Sequence, residues 1–138
     1  MTTPATKTRP PIVCLCGSAR FTDAYREAIA AETLAGRIVV YTPDLRAVLD
    51  ALPEGERAEA VRRVREYHLR LIDLCDRVKV LNPGGYVGDS TRDEIRYARQ
   101  HHKGLEFMEP VDADWLAEVT GVEVRGFAEI TAEAGVSQ

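Results

Sequence analysis

The stretch Ile12-Val13-Cys14-Leu15-Cys16-Gly17-Ser18-Ala19-Arg20 decides the fold class of this chain. Five apolar residues with no polar alternation predict a strand covered on both faces, and such strands belong to parallel sheets. The run ends at a glycine turn, and a helical pattern follows at once. From Phe21 to Leu34 the apolar residues Phe21, Tyr25, Ala28, Ile29 and Leu34 keep helical spacing, with Gly36 as the stop.

The same alternation continues outward. Arg37 to Tyr41 predicts a second strand, ended by Thr42-Pro43-Asp44; Leu45 to Leu52 predicts a short helix before Pro53. Glu56 to Cys75 is the longest helical candidate, with a stripe at Val61, Val64, His68, Leu71, Ile72 and Cys75. Arg77 to Leu81 predicts a third strand, Ser90 to about His101 a helix, and Leu105 to Met108 a fourth strand. Asp112 to Val119 is a further helix and Val122 to Phe127 a last strand or edge segment. Strands alternating with helices through short loops imply parallel pairing, so the class is a doubly wound α/β sandwich with a mostly parallel sheet of four or five strands. No repeat or linker divides the chain. A single domain over 1–138 is expected, with its core at about 12–127 and flexible ends at 1–10 and 131–138.

Composition bounds the function. With 138 residues, 29% charged and 45% apolar, the chain is an ordinary one-core globular protein. Its 22 acidic and 18 basic side chains leave a net charge of −4, which argues against a long nucleic acid as partner but leaves room for a small anion held by local donors. The first ten residues are polar, and no apolar run is long enough for a signal peptide or a membrane span, so a soluble cytoplasmic protein is expected. The three cysteines do not suggest a disulfide framework. Cys14 and Cys16 share one strand face and read as buried reduced thiols. No second Cys or His pair follows at zinc-site spacing, so no metal or cofactor is predicted.

In open parallel sheets the ligand crevice lies beyond the carboxyl ends of the strands, where strand order reverses. Two loops occupy such positions: Gly17-Ser18-Ala19-Arg20 after the first strand, and the segment from Asn82 through Gly84, Gly85, Gly88 and Asp89 to Ser90 and Thr91 after the third. Glycines permit close backbone approach, a helix start offers unbonded N–H groups, and Arg20 can fork onto a phosphate. Other features have plainer readings. Ser90-x-x-Asp93 and Thr91-x-x-Glu94 match capping-box spacing, which by itself accounts for the Glu94 carboxylate. His68 on an apolar stripe reads as a core histidine or as a functional one. His101 and His102 sit where they can meet a helix dipole. Asp73 and Asp76 read as solvated, and Tyr86 as a loop residue.

Three segments in order carry a family resemblance. They are Cys16-Gly17-Ser18-Ala19-Arg20, the aspartate heading Asp76-Arg77-Val78-Lys79-Val80, and Ser90-Thr91-Arg92-Asp93-Glu94-Ile95-Arg96-Tyr97-Ala98. Over Ile12 to Met108 the chain resembles the nucleoside 2-deoxyribosyltransferase superfamily, most of all the nucleoside 5′-monophosphate N-glycosidases. The resemblance implies a flavodoxin-like (Rossmann-like) three-layer sandwich, usually a homodimer, acting on a small nucleotide or nucleoside. It makes Glu94 the nucleophile and places the 5′-phosphate at Gly17 to Arg20 and the helix start near Ser90. The chain departs from the family pattern at Cys14, a candidate substrate-binding position where the hydrolases place a tyrosine, and at His68, where they have an aspartate in the long helix. His68 is then a candidate acid or ribose-orienting group, and Asp89 the other candidate. Hydrolysis of a nucleotide N-glycosidic bond is the leading expectation. Base exchange on free nucleosides and a non-catalytic nucleotide sensor are the alternatives.

Overall fold

The computed structural model describes residues 8–121. The proposed strand at Val122 to Phe127, the tail at 131–138 and residues 1–7 lie outside the described residues.

Four strands, β1 (Ile12–Cys16), β2 (Ile38–Val40), β3 (Arg77–Val80) and β4 (Gly104–Phe107), form one sheet in the order β2-β1-β3-β4. Every pairing is parallel; Cys14 stands opposite Val40 on one side and Val78 on the other. Five helices connect and cover the strands: α1 (Thr22–Leu34), α2 (Arg46–Asp50), α3 (Glu54–Leu74), α4 (Asp89–Gln100) and α5 (Ala113–Thr120). This is the α/β sandwich with a parallel sheet expected from the alternation, and its architecture is flavodoxin-like, or Rossmann-like. No helix among the described residues is long and apolar enough to cross a membrane.

The uninterrupted apolar run of β1 follows from its place between two neighbours and two helical layers. Val13 and Leu15 pack with Ala28 of α1 and with Leu81, while Cys14 and Cys16 face Ile72, Val78, Val80 and Ile95. The second side is the thicker one, closed by α3, α4 and α5 with Leu116 and Val119 at the bottom of the cluster. Element ends fall within about two residues of expectation. The largest shifts, of two residues, are the end of α2 at Asp50 and the start of α3 at Glu54, where Pro53 in an extended conformation stands as the cap. Val61, counted in the helical stripe, is exposed.

β3 and β4 alternate, with Val78, Val80, Leu105 and Phe107 facing the thick side. Their opposite face is ionic. Glu32 of α1 is buried and bonds Arg37 and, at 3.0 Å, Lys79; Lys79 also lies 3.8 Å from Glu106, which Arg77 meets at 3.1 Å. Burial pushes the Glu32 carboxyl up, but hydrogen bonds from Arg37 and Lys79 outweigh it and bring it below the ordinary range. Nothing in the sequence pattern pointed to this network.

Asp76, read from sequence as solvated, is a structural clamp at the head of β3. Its carboxylate accepts two hydrogen bonds from Arg9, at 2.7 and 3.0 Å, and one from the Ile12 backbone N–H at 2.7 Å. Arg9 lies within the stretch expected to be flexible, and this pair ties it to the sheet. The Arg9 guanidinium and then the Ile12 N–H hold the Asp76 carboxyl down at about 2. A depressed carboxyl stabilises the fold above its unfolded-state pKa, and that stabilisation fades as pH falls through the folded value. Asp76→Asn keeps an acceptor for Ile12 but loses the charge. Its melting temperature should therefore sit a few degrees below the parent's at pH 6, and the gap should close between about pH 4 and 2. A gap independent of pH would remove the carboxylate charge as the source of this stabilisation.

Candidate functional site

The chain runs from β1 to the edge strand β2 and returns to β3 on the other side of β1, so strand order reverses between β1 and β3. The open crevice lies at their carboxyl ends, as such reversals dictate. Gly17 makes the crevice narrow at its base, because a Cβ there would stand 2.7 Å from the Leu81 carbonyl oxygen. The Tyr25 hydroxyl donates to the Gly17 carbonyl at 2.8 Å and pins the loop from below.

Two lobes open from this point. One, of about 350 Å³, is lined by Gly17, Ser18, Ala19, Tyr86, Gly88, Asp89, Ser90, Thr91 and Glu94. It is donor-rich, since α4 begins here and its N-cap, Gly88, has no side chain to accept from the first turn. The other, of about 280 Å³, shares Gly17, Ala19, Ser90 and Glu94 and adds Tyr25, Thr42, Pro43, Leu45, Leu49, Val64 and His68, with Asp44, Arg46 and Arg65 at its polar margin. Glu94 belongs to both.

The capping-box explanation of Glu94 fails. The helix starts at Asp89, so Ser90 and Thr91 are already inside it and Glu94 lies in its second turn, beyond the donors that a cap would serve. Asp93 also points elsewhere, to Arg96 at 2.9 Å and Arg65 at 3.2 Å. Burial dominates the electrostatics of Glu94 and pushes its carboxyl up, with His68 and Cys16 pulling against that rise. Its side chain is 19% exposed, and Oε1 lies 3.6 Å from His68 Nε2.

His68 is a buried polar bridge rather than an apolar-core histidine. Its Nδ1 is 2.6 Å from Thr42 Oγ1, and its Nε2 is 3.1 Å from Cys16 Sγ and 3.9 Å from Cys14 Sγ. Both thiols are free and buried, as expected. Hydrogen bonding from Cys16, against burial and with help from His68, lowers the Cys14 thiol to about 6; burial raises that of Cys16. Cys14 is fully buried and lines neither lobe, so it is not brought into the cleft with the other expected binding residues. The donor atoms of Cys14, Cys16 and His68 lie within 4.8 Å of one another, a metal-capable grouping that linear spacing did not suggest.

The remaining residues singled out from sequence divide. Gly17, Ser18, Ala19, Gly88, Asp89, Ser90 and Thr91 come together in the donor-rich lobe. Asp89 does not line the apolar lobe. Arg20 is at the rim, its guanidinium 4.1 Å above the Tyr86 ring and 5.2 Å from that of Phe21. Asn82 is turned inward, donating to the Glu109 carbonyl at 2.9 Å and accepting from its N–H at 2.8 Å. Gly84 and Gly85 take left-handed conformations that shape the turn, and Gly84 N–H bonds the Glu109 carboxylate at 2.8 Å. These three position the loop and do not line the lobes. Thr42, Leu45, Leu49 and Val64 were missed. Thr42-Pro43-Asp44 follows a strand's carboxyl end, and Val64 precedes His68 by one helical turn, so the strand-end rule and the stripe both carried a signal.

Gly17→Ala forces a methyl against backbone and should destabilise the protein by about 1 to 3 kcal/mol, read by denaturant unfolding. Wild-type stability in that variant would mean that the β1 and β3 ends are not in this close contact. No family model, curated protein or solved structure matches the chain.

Proposed function

We propose that the chain hydrolyses the N-glycosidic bond of a nucleoside 5′-monophosphate, with Glu94 as nucleophile. The observation that carries this reading is the position of Glu94 on the floor shared by a donor-rich lobe and an apolar one. A nucleotide has the same order of parts: an anion at one end, a flat base at the other, and C1′ between them. The hydroxyls of Ser18, Ser90 and Thr91, with the start of α4, suit the phosphate. Leu45, Leu49 and Val64 suit the base.

Over Glu94 the sugar would present C1′ to the carboxylate. Departure of the base builds oxocarbenium character, which the carboxylate stabilises and then traps as a glycosyl ester. Water hydrolyses the ester to (deoxy)ribose 5-phosphate, returns the carboxylate and supplies the proton that balances the one taken up by the departing base. His68 is a positioning residue in this scheme. Held at Nδ1 by Thr42, it presents Nε2 toward Glu94 and limits the rotamers open to the carboxylate. Arg20 is placed to swing from the Tyr86 ring onto a phosphate in the adjoining lobe.

Because Glu94 caps nothing, Glu94→Gln separates chemistry from folding. Single-turnover base release should fall by about three orders of magnitude or more, while the melt and the affinity for an uncleaved nucleotide analogue stay close to the parent's. Release within a few-fold of the parent would end the nucleophile assignment. Running the parent with and without an acceptor base distinguishes hydrolysis from base exchange. Arg20→Ala should weaken a nucleoside monophosphate by about 1.5 to 3 kcal/mol in calorimetry and leave the matching nucleoside nearly unchanged. Equal losses for both would remove Arg20 from the phosphate site.

A further inference from the structure

We propose that Cys14, Cys16 and His68 form a site for a thiophilic divalent cation of the zinc class, with the fourth coordination position facing Glu94 and the cleft. Residues two apart on a strand point to the same face, so β1 directs both sulfurs toward α3. There α3 supplies His68 Nε2 at 3.1 Å from Cys16 Sγ and 3.9 Å from Cys14 Sγ, and all three donor atoms lie within 4.8 Å of one another. A tetrahedral zinc centre with bonds of about 2.3 Å to sulfur and 2.0 to 2.1 Å to nitrogen has sulfur–nitrogen edges of about 3.5 Å. The two observed separations bracket that edge.

The surroundings of His68 fit the same assignment. Thr42 Oγ1 lies 2.6 Å from Nδ1, and in the tautomer whose Nδ1–H donates to it the lone pair is left on Nε2, the nitrogen that meets the sulfurs. Glu94 Oε1 approaches the same nitrogen at 3.6 Å from the cleft side. The Nε2 lone pair accepts one thiol proton at a time, whereas a cation would engage both sulfurs and the ring nitrogen together. Two thiolates would balance its two charges, which suits a buried centre, and the cation would displace two thiol protons to solvent. Sulfur and imidazole select a zinc-class ion over magnesium or calcium, which require oxygen ligands. The entry path is the apolar lobe, which His68 and Glu94 both line. None of this depends on the glycosidic role given to Glu94.

The test uses the full chain, reduced and freed of metal with a chelator, titrated with Co²⁺ without oxygen. One equivalent should produce a sulfur-to-cobalt charge-transfer band with intense tetrahedral d–d absorption, and one equivalent of Zn²⁺ should bleach both. The double variant Cys14→Ser/Cys16→Ser should lose the band. Cys75→Ser should keep it, since that thiol donates to the Ile72 carbonyl at 3.1 Å and is not one of the three grouped donors. Thr42→Val should weaken zinc about 10- to 100-fold. Should the double variant not fold, zinc-edge X-ray absorption of the parent protein needs no variant and should count two sulfur neighbours. Absence of the charge-transfer band at saturating Co²⁺, its survival in the double variant, unchanged zinc affinity in Thr42→Val, or an edge spectrum with only nitrogen and oxygen neighbours would overturn the assignment.

Discussion

At the carboxyl ends of β1 and β3 the backbone of Gly17 comes against the Leu81 carbonyl, with no room for even a methyl group between them. The contact continues the parallel ladder one step beyond the strands, where the Leu81 N–H bonds the Cys16 carbonyl at 2.8 Å. It sets how far apart the two exit loops stand, and therefore how the start of α1 faces the start of α4. The positions of Ser18, Ser90, Thr91 and Glu94 all follow from that separation. A wider junction would leave the same residues on two unrelated loops.

Beneath the cleft, polar chemistry reaches into the core by a short chain of contacts, from Thr42 through His68 to Cys16 and Glu94. Buried groups of this kind are tolerated only when each has a partner. Here the partners come from four separate elements or their flanks, so the cluster makes the cleft floor sensitive to the packing of α3 and α4 against β1. The arrangement favours a rigid site. Glu94 cannot turn far without leaving the imidazole, and the imidazole cannot turn without leaving Thr42.

The parts of this structure that were legible in the sequence are those governed by one local pattern. Ile12 to Cys16 reads as a strand because burial on both faces removes alternation, and Gly36 and Pro53 mark helix boundaries through backbone constraints that need no tertiary context. Ser90 and Thr91 misled because their chemistry suits a cap, while the extended backbone of Gly88 begins the helix earlier. Asn82 misled in the opposite sense: it lies at a strand end, where ligands bind, but the Glu109 backbone takes both ends of its amide. The thiol and imidazole cluster joins residues 52 and 54 apart, and its convergence depends on the rotation of α3 above β1. Linear spacing holds no record of that angle.

The ionic face of β3 and β4 bears on how the sheet finds its alignment. Lys79 and Glu106 alternate with Val78, Val80, Leu105 and Phe107, so each strand carries a charged side and an apolar one. A slip of one residue exchanges the two sides of a strand. In β3 it would drive the Lys79 ammonium among Ile72, Ile95 and Phe107 and set two valines beside Glu32, leaving that buried carboxylate with Arg37 alone. A misaligned pairing therefore meets an electrostatic barrier as well as lost packing, and the charged ladder acts as a ratchet that admits the native register and rejects its neighbours.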